Sequence, residues 1–227
     1  MWFYPFIFGP QALILIPALL LAIYAQWRVR STYTRFSNVD SFSRITAQDA
    51  AHRILVSQGI SDVSVESVQR SLGDHYDPRA RVLRLSAPKS TSIAAIGVAA
   101  HEAGHAIQHA ANYGPLWLRT VIVPVAQFGS RLAFPLFFMG LLAQIGPLIT
   151  AGIVLFSAAV AFTLITLPVE IDASRRAVAA LRGNMMLSEE EMGGVRKVLS
   201  AAALTYVAAA AMAALQLLML LSVGRRR

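Results

Sequence analysis

The 227-residue chain contains no cysteine. That absence excludes a disulfide scaffold, thiol catalysis and every zinc or iron–sulfur site built on thiolates. Charge is scarce too, at 14% of residues against roughly 25% in a soluble domain. Acidic residues are the rarer sign, 12 against 20 basic ones, which leaves a net charge of +8. In their place stand 56% hydrophobic residues and a mean hydropathy of +0.56. Intrinsic disorder is excluded by that much apolar surface. What remains is a membrane protein with room for one modest polar domain.

The apolar residues are clustered. Residues 6–27 carry no charge and are long enough to span a bilayer. No Lys or Arg precedes them, and Gln26-Trp27-Arg28 is a poor cleavage site, so this segment reads as a retained first transmembrane helix. A second block, 121–168, is interrupted by Arg131 alone, and 132–167 hold no charged residue over 36 positions. One helix of that length would rise about 54 Å, against a hydrocarbon core of roughly 30 Å. Two helices fit better, with a break at Gln144-Ile145-Gly146-Pro147. Arg131 is then expected to snorkel or to face protein rather than lipid. Residues 200–223 supply a fourth span. Two small-residue stretches, 151–163 and 201–214, suit helix packing within a chain or between copies in a homo-oligomer.

The basic excess follows from topology. Residues 28–120 hold 11 Lys and Arg against 7 Asp and Glu, which places them in the cytoplasm by the positive-inside rule. Two spans later, 169–199 return to the same side. Arg225, Arg226 and Arg227 would fall outside after a fourth crossing, which the rule disfavours. No zinc-finger, helix-turn-helix or strand-aromatic signature accompanies the charge, so no nucleic-acid partner is expected.

Residues 28–120 read as a small α+β domain. Thr46-Ala47-Gln48-Asp49 resembles a capping box, and apolar residues follow at helical spacing up to Gly59. Val63, Val65 and Val68 suggest a short strand, Asp74-His75-Tyr76-Asp77-Pro78 is turn-like, and residues 81–86 make a second strand. A hairpin followed by a helix from about Ser92 is the expected order.

That helix carries His101-Glu102-Ala103-Gly104-His105, an H-E-x-x-H match. Residues four apart on a helix lie one turn apart on one face, so His101 and His105 can share one metal ion. Glu102 would stand beside a water on that ion and take its proton. Ile93, Ile96, Ala100, Ala103 and Ile107 form a separate apolar stripe, so packing does not require the histidines. A three-ligand site needs one more group. Glu170 and Asp172 stand at the end of the third span, where a carboxylate is costly without a partner. On a helix they diverge by about 200°, so both cannot readily hold one ion. Asp172 has Arg176 for an i,i+4 ion pair, which favours Glu170 as the ligand and leaves Asp172 in reserve. An even number of spans between His105 and Glu170 keeps both on one membrane face.

Asp74-His75-Tyr76-Asp77-Pro78, Val82-Leu83-Arg84-Leu85-Ser86, the run from Val98 through Gln108, that from Leu167 through Arg176, and Ala202 to Ala208 together resemble the YugP-type membrane zinc metallopeptidases of bacteria. The resemblance covers nearly the whole chain. It implies a gluzincin-like site in a zincin-like cytoplasmic domain, on a mainly α membrane protein with about four transmembrane helices. It implies one Zn2+ per chain, a protein or peptide substrate, and a multi-pass protein of the bacterial inner membrane. In similar proteases an Asp four residues after the ligating Glu often supports a histidine. Here that position is Ser174, which leaves the support weaker or moves it to Asp172.

His109, His75, Tyr76 and Tyr206 are further candidates for polarising a scissile carbonyl, each with a blander role as surface, turn or interfacial residue. If residues 81–86 line the cleft, their free edge could pair with an extended peptide. Two other functions compete with a zinc endopeptidase. One is an intramembrane zinc protease, which the nearby Arg84 and Lys89 and the absence of Leu-Asp-Gly disfavour. The other is a membrane scaffold with a closed structural site, which would need His109 or Asp172 as a fourth ligand.

Overall fold

A computed structural model describes residues 12–68 and 73–225. The chain is mainly helical with one small sheet. A 3-10 turn, Ala12–Leu15, leads into α1 (Ile16–Ser37). Then come α2 (Ala47–Ser57), β1 (Ser64–Ser67), β2 (His75–Asp77), β3 (Val82–Leu85), α3 (Ile93–Ala110), α4 (Gly114–Ala143), α5 (Gly146–Gly183) and α6 (Glu189–Gly224). Among the described residues, four helices are long and apolar enough to cross a membrane: Leu13–Ser37, Gly114–Ala143, Gly146–Gly183 and Glu189–Gly224. Residues 6–11 of the expected first span, and Arg226 and Arg227, lie outside the described residues.

The chain divides into two compact units. The first comprises, among the described residues, 12–25, 117–168 and 205–225. Its core is Ala133, Phe137, Leu141, Ile149, Phe156, Val160 and Leu220. The break between α4 and α5 falls at Gln144 and Ile145, as the Gly-Pro signal requires. The two helices approach closely: a Cβ on Gly129 would meet the Leu155 carbonyl oxygen at 2.7 Å, and one on Gly152 the Ala133 oxygen at 2.7 Å. Small residues thus replace a hydrophobic driving force with backbone contact. Arg131 faces outward on α4, exposed, rather than against protein of this chain.

The second unit comprises residues 26–116 and 169–204. Thr46 caps α2 by accepting from the Asp49 N–H, and Ser92 caps α3 by accepting from the Ala95 N–H. Ser188 and Glu191 form a reciprocal capping box at the start of α6. Ile54, Leu55, Leu83, Leu85, Ile93, Ile96, Leu181, Met192 and Val195 anchor the core. The stripe from Ile93 to Ile107 lies in that core, but α3 is buried more broadly, because Ala94, Gly97, Ala99, Gly104 and Ala106 let neighbours approach on other sides.

Three expectations need correction. Residues 75–77 form a strand rather than part of a turn; the turn is at 78–81, where Asp77 accepts from the N–H groups of Arg79 and Ala80. The sheet order is β1-β3-β2, with β1 parallel and β2 antiparallel to β3. The hairpin is therefore β2–β3, not β1–β3. Strand β3 is central and has no free edge for a peptide; the edge on the side of α3 belongs to β2. Helix α5 also continues through Pro168 to Gly183. One missing N–H is a tolerable loss in a helix of that length.

Candidate metal centre

Helix α3 places His101 and His105 one turn apart, with ring centroids 4.8 Å apart and nearly perpendicular. Helix α5 brings Glu170, which follows His101 by 69 residues. Its Oε2 lies 3.1 Å from His101 Nε2 and 3.6 Å from His105 Nε2. One donor atom from each of the three residues falls within 4.8 Å of the other two, and the group could hold a metal ion. Ligands about 2.0–2.1 Å from a tetrahedral zinc ion are separated by about 3.3 Å, and the two measured separations bracket that edge. Glu170 is only 3% exposed. A carboxylate so buried calls for a positive partner. The two helices meet here because position 104 is glycine: a Cβ there would overlap the Ala173 carbonyl oxygen and stand 3.0 Å from its carbon.

The outer nitrogen of each imidazole is also engaged. His101 Nδ1 is 3.1 Å from Ser174 Oγ. His105 Nδ1 is 3.0 Å from Gln108 Oε1. The fully buried Gln108 amide donates both its protons, one to the Val169 carbonyl and one to Asp172 Oδ2, each at 2.8 Å. Its oxygen is therefore left to accept from His105 Nδ1–H, which keeps the Nε2 lone pair free for an ion. Asp172 is held in turn by Arg176 Nε at 2.6 Å. Asp172 thus stands behind His105, through Gln108, and is not one of the converging donors.

Burial works against a charge on His105, yet its hydrogen bond to Glu170 and the charges of Glu102 and Glu170 raise its pKa above the ordinary imidazole value. The carboxylates of Glu102 and Glu170 both favour positive charge beside His105. Glu102, largely buried, accepts from the Tyr76 N–H at 3.0 Å through Oε2. His109 is not with the converging donors; its Nδ1 pairs with the Tyr76 hydroxyl at 2.8 Å. Burial, then the charge of Asp77, holds that hydroxyl above the usual phenol range, so it stays protonated. His75 turns away from Glu102, with Nδ1 on the Gly73 carbonyl and Nε2 3.3 Å from Arg84. Tyr206 is half-buried on α6 and belongs to the first unit.

The sequence family described as "Putative neutral zinc metallopeptidase" matches residues 11–225. The chain belongs to this family. It is 50% identical over 205 residues to the "Putative membrane protease YugP" of Bacillus subtilis (strain 168), spanning 89% of this chain and 91% of that protein. No solved structure matches it. For a member of the neutral zinc metallopeptidase family, two imidazoles and a carboxylate with no thiolate form a donor set that suits zinc.

Sequence reasoning passed over Gln108 as a site residue. The signal was a polar side chain three residues after His105 on a helix otherwise rich in Ala, Gly and Ile. Its partners, Val169 and Asp172, lie 61 and 64 residues away and were invisible locally. Gln108→Leu removes the acceptor for His105 and leaves Asp172 without the amide. Zinc affinity is expected to fall about 10–100-fold, read by competition with a chromophoric chelator.

Proposed function

We propose that this member of the family is a membrane-anchored zinc endopeptidase, with its site facing the cytoplasm at the inner membrane. His101 Nε2, His105 Nε2 and the Glu170 carboxylate would hold one ion. The observation that carries the reading is the convergence of those three donors while Ser174 and Gln108 occupy the opposite nitrogens of both imidazoles. When bound, the zinc ion supplies a Lewis acid that polarises the scissile carbonyl and makes water acidic. Glu102 is the general base. Its Oε2 is held by the Tyr76 N–H, so Oε1 is the atom left to take a proton from the attacking water. The same carboxyl then hands that proton to the leaving amine nitrogen, and the products are a carboxylate and an amine.

One observation favours catalysis over a closed structural site, and a second bears on where the catalysis takes place. His109 is taken by Tyr76 and Asp172 by Gln108 and Arg176, which leaves three converging donors among the described residues. Helix α3 is not among the four helices apolar enough to cross a membrane, which speaks against an intramembrane protease. The test uses the purified full chain in detergent. Zinc analysis should give one ion per chain, and chelation should abolish cleavage of an unfolded protein such as casein, with zinc restoring it. Cleavage that survives complete metal removal would refute the proposal.

A further inference from the structure

We infer that Tyr76 is the positioning residue for Glu102, and that His109 holds Tyr76 in place. This deepens the reading above and rests on Glu102 being the base. Among the described residues, the Tyr76 N–H is the one hydrogen bond given to the Glu102 carboxylate, at 3.0 Å. That N–H is available because of register. Tyr76 stands opposite Leu83 on edge strand β2, and its N–H points away from β3. The strand itself is braced on the far side, where Arg84 reaches both Asp77, at 3.1 Å, and His75, at 3.3 Å.

The side chain of Tyr76 supplies a second anchor. Its half-buried ring packs on the core of the unit, and its hydroxyl pairs with His109 Nδ1 at 2.8 Å. Glu102 and His109 lie on one helix, seven residues or about 10.5 Å apart. The tyrosine therefore bridges two points of a rigid element, with backbone at the base and hydroxyl two turns further on. This arrangement fixes the distance of the β2 backbone from α3. Neither Tyr76 nor His109 belongs to the group of converging donors, so the pair acts through Glu102 and not through the ion.

Tyr76→Phe removes the hydroxyl and keeps the N–H. In the zinc-loaded full chain it should lower kcat about 10-fold with KM and zinc content unchanged. His109→Ala should behave alike, and His109→Gln, which keeps a hydrogen-bonding partner for the hydroxyl, should recover most of the loss. A readout independent of turnover is hydrogen exchange of the residue-76 amide in metal-free protein, which should quicken about 10-fold in Tyr76→Phe. Wild-type kcat, a rise in KM alone, or unchanged amide exchange in Tyr76→Phe would each overturn the inference. A wild-type chain that cleaves no peptide would instead overturn the peptidase reading, and amide exchange would still decide the clamp.

Discussion

Glu102→Gln is expected to bind zinc as the wild type does and to lose peptide hydrolysis by about 10²–10⁴-fold. The amide is nearly the same size as the carboxylate and can still accept the Tyr76 N–H through its oxygen, so the fold near β2 is kept. It cannot take a proton from water. Removing the negative charge also withdraws one of the influences that raise the His105 pKa, which favours neutral imidazole and does not weaken zinc binding. The measurement pairs zinc content with the rate of cleavage of a quenched fluorescent peptide. Full activity in a variant with full zinc occupancy would assign the base elsewhere.

Gly104→Ala is expected to be the most damaging single methyl in the polar unit. The added carbon would overlap the Ala173 carbonyl oxygen and press on its carbonyl carbon at 3.0 Å, both backbone atoms inside a helix. Neither can yield without moving α5, and Glu170 lies one turn before Ala173 on that helix. Overpacking of this kind costs about 1–3 kcal/mol or more. Separation of the helices would also carry Glu170 Oε2 away from both imidazoles, so zinc affinity should fall by at least about 100-fold. Gly97→Ala, on the same helix, is the control. Its Cβ would meet Val195 at an ordinary 3.5 Å, and removing a helical glycine there should stabilise by up to about 1 kcal/mol. Thermal unfolding and zinc competition of the two variants decide the matter, and equal behaviour would show that the close approach at Gly104 is unimportant.

Features written in local sequence were legible, and those created by distant pairing were not. The Thr46 cap, the histidines one turn apart and the break at Gln144-Ile145-Gly146-Pro147 each depend on neighbours within a few residues, and periodicity and punctuation reveal them. Glu170 could be singled out because an anion at the end of an apolar run is expensive wherever it folds. Strand β2 was hidden: Asp74-His75-Tyr76-Asp77-Pro78 has turn composition, and three residues become a strand only because β3 and Glu102 bind them from either side. The parallel pairing of β1 with β3 was equally invisible, since Ser64–Ser67 carries no signal of its partner's direction. Asp172 looked like a surface ion pair with Arg176, and it is one. Its second bond, to Gln108, depends on the contact between α3 and α5.

The chain order of the donors has a consequence for biogenesis. The helix bearing His101 and His105 leaves the ribosome well ahead of Glu170, and all of α4 with most of α5 lies between them. Until both of those hydrophobic segments have been handed to the bilayer, the nascent chain holds two imidazoles and no carboxylate to complete their cluster. On the reading proposed above, a half-made molecule would lack one of the three donors for zinc. On that same reading, hydrolytic capacity would emerge only after both of those segments and Glu170 have been made.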